Sequence, residues 1–92
     1  MEAESRSFVI KNKLGLHARA AALLVKKANQ FACDIKIEKD GLEVNGKSIM
    51  GVLMLAAECG STLRISANGD DAEDAVAALS ALVGRGFGEM EA

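Results

Sequence analysis

Few side chains in this chain can do covalent chemistry. Its 92 residues hold one histidine, His17, and two cysteines, Cys33 and Cys59. The cysteines lie far apart and match no metal-ligand or redox spacing, and one histidine beside them argues against a zinc site. They read as reduced, mostly buried thiols. His17 is different. It stands in Gly15-Leu16-His17-Ala18-Arg19, where a strand-like run gives way to a helix-like run. A helix beginning at Ala18 surrounds the imidazole with the N–H groups of its first turn, and with the helix dipole these form an anion site. Arg19 adds a planar cation suited to phosphate oxygens. Gly15 lets the approach bend and leaves one side of the ring uncrowded. Such a terminus favours a phosphate on the ring over a positive charge on it, and a neutral imidazole attacks phosphorus without a separate base. The chemistry in view is a covalent N–P intermediate. The alternative is a histidine that only begins a helix, and the residues alone leave both open.

A second stretch imitates a nucleotide site. Gly41-Leu-Glu-Val-Asn-Gly46-Lys47-Ser48 fits the phosphate-loop pattern G-x-x-x-x-G-K-[ST] letter for letter. Its setting does not. Asp40-Gly41 is a hairpin-turn dipeptide, and Leu42 to Asn45 alternate like a strand instead of wrapping their N–H groups around phosphate. We expect a hairpin here, with Ser48 as the N-cap of the helix that follows.

These sites need elements to position them. Ser7 to Lys11 read as a strand with Phe8 and Ile10 inward. Ala18 to Phe31 read as a helix whose apolar stripe is Ala21, Leu24, Val25, Ala28 and Phe31. Cys33 to Lys39 alternate as a strand, and Leu42 and Val44 continue on its return. Lys47 to Ala57 read as a short helix with two apolar stripes. Val52, Leu55 and Ala56 form one, and Ile49, Met50, Leu53 and Met54 form the other. A short helix in a small domain cannot easily bury both, so one stripe is expected to be an exposed docking surface. Ser61 to Ala67 alternate with Leu63, Ile65 and Ala67 inward. Asp70 opens a last helix with Glu73 completing a capping box, Ala72, Ala75, Val76, Leu79, Leu82 and Val83 as its stripe, and Gly84 as its stop. The order βαββαβα, with one apolar face per strand, predicts an α+β two-layer open-faced sandwich. A four-stranded antiparallel sheet is covered on one face by three helices.

Length allows one domain, residues 1–92, with an ordered core over about 6–84 and frayed ends at 1–5 and 86–92. The charge is −2 with basic and acidic residues interspersed, and the only aromatics are three phenylalanines. Nucleic-acid binding is disfavoured. No basic-then-apolar leader opens the chain, and no apolar run approaches the ~20 residues that span a bilayer. A cytoplasmic location is expected.

Asn12-x-x-Gly15-Leu16-His17-Ala18-Arg19 closely resembles the active-site motif of the HPr family, the histidine-containing phosphocarriers of the bacterial phosphoenolpyruvate-dependent sugar phosphotransferase system. Gly46-Lys47-Ser48-Ile49-Met50-Gly51-Val52-Leu53 is similar to that family's regulatory-serine region. The resemblance implies that His17 takes a phosphoryl group on Nδ1 from phosphorylated enzyme I and gives it to enzyme IIA domains. The chain is then a carrier rather than a stand-alone enzyme. It implies that Arg19 steadies the phosphoryl group while the backbone N–H groups of Ala18, Arg19 and Ala20 hold its oxygens. Ile49, Met50 and Leu53 match the family's partner-docking patch. Ser48 matches the serine modified by HPr kinase/phosphorylase, with a transcriptional regulator as a further partner. No metal and no cofactor are implied, and the carrier is expected to be a monomer. One departure is Ala20, where many members have proline. Ala20 keeps a helical φ and adds an N–H. Two other readings stand beside the carrier: a nitrogen-branch or regulatory paralogue, and an interaction module read out through Ser48.

Overall fold

The computed structural model describes residues 3–88. Four strands, β1 (Ala3–Val9), β2 (Asp34–Lys39), β3 (Leu42–Asn45) and β4 (Thr62–Asn68), alternate with helices α1 (Ala18–Ala28), α2 (Ile49–Met54) and α3 (Ala72–Gly84). The sheet is antiparallel throughout, in the order β1-β4-β2-β3. Ile35, Ile37, Leu63, Ile65 and Ala67 are buried on one face, and Asp34, Lys36, Thr62 and Arg64 stand exposed on the other. The buried face meets Ala21, Leu24, Val25 and Ala28 of α1, Val52 of α2, and Ala75, Val76, Leu79 and Val83 of α3 in one core. The expected two-layer α+β sandwich is the fold observed.

Its boundaries differ from those expected where main-chain pairing, a polar contact or one late apolar residue holds the backbone. Ala3, Glu4 and Ser5, expected to fray, pair with Asn68, Ala67 and Ser66. A ladder of main-chain bonds fixes them, and Ser5 Oγ adds contacts to Ser66 Oγ (3.2 Å) and Arg64 Nε (2.9 Å). No apolar alternation announces this half of the strand. At the other end α3 runs through Gly84, and the chain reverses in a single 3-10 turn over Gly86–Gly88 that buries Phe87 to 4 % exposure. Residues 86–88, expected to fray, are therefore held against the core; residues 1–2 and 89–92, the rest of the expected frayed ends, lie outside the described residues. Helix α1 ends at Ala28 instead of Phe31, because the Asn29 carboxamide turns back to the Val25 carbonyl at 2.9 Å. Helix α2 ends at Met54, with Ala56 at φ +49, so Ala57 rather than Ala56 is buried.

The capping box of α3 does not form. Asp71, not Asp70, is the N-cap, and its side chain makes no cap bond. Its two carboxylate oxygens instead accept the N–H groups of Ala32 (2.8 Å) and Cys33 (2.9 Å). These bonds, the one from Ala32 foremost, hold the Asp71 carboxyl below its ordinary range. The carboxylate therefore stabilises the fold at pH values above the unfolded carboxyl's ~4, and that contribution is lost as pH falls through the lower native value. D71N is expected to flatten the acid limb of stability in urea melts taken at successive pH values below ~5.

Candidate functional site

Three short segments build the site. The first is the turn Asn12–Gly15. Gly15 takes φ +69, and a Cβ there would lie 2.6 Å from the Ala57 carbonyl oxygen and 3.0 Å from Glu58 Cα. Glycine is required less to keep the imidazole uncrowded than to let two backbones touch. Leu16 N–H donates to the Ala57 carbonyl at 2.8 Å, Ile10 N–H to Ser61 at 2.8 Å, and Gly60 N–H to Ile10 at 2.8 Å. The approach to His17 is thus bonded to the loop that follows α2.

The second segment is the start of α1. His17 is the N-cap, extended at φ −77, ψ −179, and its imidazole makes no capping bond. The first intrahelical bond runs from Ala21 N–H to the His17 carbonyl at 2.8 Å. The amides of Ala18, Arg19 and Ala20 lie ahead of that ladder, at the positive end of the helix. His17 is half-buried, Ala18 and Arg19 are exposed, and Ala20 is buried. The sequence-based placement of the imidazole at a helix start holds, and the ring shares the first turn with the guanidinium-bearing Arg19.

The third segment is α2. Ser48 is its N-cap, and Ser48 Oγ accepts the Gly51 N–H at 3.1 Å. Ile49, Met50 and Met54 are exposed, Met50 to 72 %. Leu53, expected in the docking patch, is only partly accessible and packs against the core. Leu14, in the turn before His17, is 69 % exposed, and its neighbour Gly15 touches Ala57 just beyond α2. Exposed apolar side chains thus stand on α2 (Ile49, Met50 and Met54) and in the turn before His17 (Leu14). An apolar residue in an otherwise polar turn was the available signal for Leu14, and the pattern of α2 alone does not show which stripe member turns inward.

The phosphate-loop imitation resolves as a hairpin. Asp40 (φ +51) and Gly41 (φ +86) make its turn, and Leu42–Asn45 form β3. Lys47 Nζ donates to the Phe31 carbonyl at 2.6 Å, and the Asn29 carboxamide reaches the Lys47 carbonyl at 3.3 Å, so this lysine fastens the end of α1 to the start of α2. Of the two thiols, Cys33 is buried, and burial, then Asp71, pushes it up to about 11, which leaves it inert. Cys59, expected to be buried, is exposed, with its Sγ 3.7 Å from the Lys11 carbonyl. It sits on the turn before β4, where close contact with Gly15 is made by backbone and leaves the side chain outside.

The family model for the phosphotransferase-system HPr component phosphorylation site matches residues 4–85. The chain is 49 % identical over 86 residues to phosphocarrier protein HPr of Cupriavidus necator, covering 94 % of this chain and 97 % of that one. It is 50 % identical over 74 residues to the HPr-like protein Crh of Halalkalibacterium halodurans, covering 80 % and 88 %. The crystal structure of HPr-C-His from Thermoanaerobacter tengcongensis superposes with a TM-score of 0.92 at 46 % identity, covering 96 % of this chain and 99 % of that one. With His17 at the mouth of α1, Ser48 at the mouth of α2 and these similarities in sequence and structure, this chain belongs to the HPr family of phosphocarrier proteins of the phosphotransferase system.

Proposed function

We propose that His17 accepts a phosphoryl group from phosphorylated enzyme I and passes it to enzyme IIA components, in the cytoplasm and without metal or cofactor. The observation that carries this reading is the imidazole at the N-cap of α1 with three amides ahead of the helical ladder. An imidazole nitrogen attacks phosphorus as the P–N bond to the donor histidine breaks; the donor imidazole leaves with the bonding pair, and the reverse geometry serves the next acceptor. Charge on the three phosphoryl oxygens is met by the amides of Ala18, Arg19 and Ala20 and by the Arg19 guanidinium. Ala20 supplies an amide where a proline would have none. Ile49, Met50, Met54 and the half-buried Leu53 form the surface on which both partners dock in turn.

Ser48 is proposed as a second, regulatory site. A phosphate on its Oγ stays at a helix start and sets about two negative charges beside the exposed Ile49 and Met50, which weakens docking of enzyme I. The similarity to an HPr-like protein Crh favours such a layer. His17 is present, however, and a purely regulatory module has no need of it.

The test is incubation with phosphoenolpyruvate and enzyme I followed by intact mass. The expected result is a gain of one acid-labile phosphate; no gain with a competent enzyme I, together with kinase labelling of Ser48, would overturn the carrier reading in favour of the regulatory one. In the same assay M50D is expected to raise the half-saturating concentration for enzyme I roughly tenfold or more, because it puts a charge in an apolar contact, while leaving the fold intact. Unfolding of M50D would place Met50 in the core instead.

A further inference from the structure

Asn12 is the only buried polar side chain among the described residues, 1 % exposed. It grips Gly15 twice. Gly15 N–H donates to the Asn12 main-chain carbonyl at 3.1 Å, and the Asn12 Nδ2 donates to the Gly15 carbonyl at 2.8 Å. Both ends of the segment are bonded to the loop after α2, Ile10 through Ser61 and Gly60 and Leu16 through Ala57. Between these anchors, Lys13 and Leu14 are exposed and Leu14 stands well out in solvent. The shape of the excursion thus rests on Asn12 closing its turn.

A buried carboxamide costs desolvation that an aliphatic side chain of similar size does not. Burial of volume alone therefore does not account for asparagine here. What an aliphatic residue cannot do is orient the Gly15 carbonyl, and with it the peptide planes that lead through Leu16 to His17. We infer that Asn12 is a positioning residue for phosphoryl transfer, acting through Gly15 and Leu16 to aim the His17 imidazole along the path of the incoming phosphorus. The inference rests on the carrier reading above. In-line transfer is sensitive to such aim, and a misplacement of about 1 Å from a change outside the reacting groups costs up to ~100-fold in rate.

The test uses N12D, nearly isosteric but with a carboxylate that cannot donate to the Gly15 carbonyl, together with N12A and N12S, whose hydroxyl keeps a donor. Phosphorylation by enzyme I is measured per folded molecule, with the folded fraction read by circular dichroism. The maximal rate is expected to fall roughly tenfold or more in N12D and N12A, within the range for small misalignments. N12S is expected to recover part of it. The half-saturating concentration for enzyme I, set mainly by Ile49, Met50 and Met54 on α2, is expected to stay within about twofold of wild type, since the Asn12 side chain is buried and takes no part in that surface. Folded N12D and N12A that reach the wild-type maximal rate overturn the inference, as does a loss that only tracks the unfolded fraction. Wild-type protein that takes no phosphate at all removes the carrier reading itself, a result distinct from equal rates in wild type and variants.

Discussion

H17A is expected to incorporate no acid-labile phosphate from phosphoenolpyruvate and enzyme I, a complete loss, while its circular dichroism stays native. The loss is total because no other histidine exists in the chain to take the phosphoryl group. The fold survives because the imidazole lies outside the cluster of buried residues and accepts no capping bond from the turn it begins. An N-cap side chain that does cap contributes ~1 kcal/mol; here that contribution is absent from the start. The variant also separates the two proposed phosphorylation sites. Kinase labelling of Ser48 is expected to persist in H17A, because Ser48 Oγ is held by Gly51 N–H on a different helix. Acid-labile phosphate remaining in H17A would move the acceptor elsewhere and undo the assignment.

G15A is expected to lower stability by about 3 kcal/mol, read as a shift in the urea midpoint with an unchanged slope. Two effects add. Holding an L-residue in the left-handed region costs about 1–2 kcal/mol. The new Cβ would also stand 2.6 Å from the Ala57 oxygen and 3.0 Å from Glu58 Cα. Both are main-chain atoms in a loop tied to the segment by bonds from Leu16 and to Ile10, so neither yields by turning a side chain. Gly60 provides the control. It too has positive φ, at +93, but a Cβ there meets nothing within 4 Å. G60A is therefore expected to show the conformational cost alone, and the difference between the two variants measures the contact. If both lose the same amount, the backbone approach at Gly15 carries no energetic weight. Because the displaced loop leads directly into His17, G15A is also expected to slow phosphorylation of the molecules that remain folded.

The elements of this protein follow from local rules. Alternation in Ile35, Ile37, Leu63 and Ile65, helical spacing in Leu24, Val25 and Ala28, and the Asp40-Gly41 turn each point to the segment they form, since each feature is satisfied within a few residues. The setting of His17 was legible for the same reason: a helix start is a local event, and His17 stands on it. What failed to show was whatever depends on partners distant in the chain. Asp70 reads as the cap of α3, yet Asp71 begins that helix and gives its oxygens to Ala32 and Cys33. Lys47, which matches the lysine of a phosphate-loop pattern already set aside, holds the Phe31 carbonyl. Ala3–Ser5 carry no apolar pattern, yet β4 holds them in the sheet.

The sequence by itself determined the single histidine, its helix-start setting and the order of the elements, because side-chain chemistry and hydrophobic period are properties of the chain before it folds. Only the tertiary structure decided that Gly15 must be glycine for the sake of Ala57, that Leu53 turns partly inward while Leu14 and Met54 stay out, and that Asn12 closes the turn before His17. Those depend on which backbone comes to lie against which, and that is set when the helices close over the sheet.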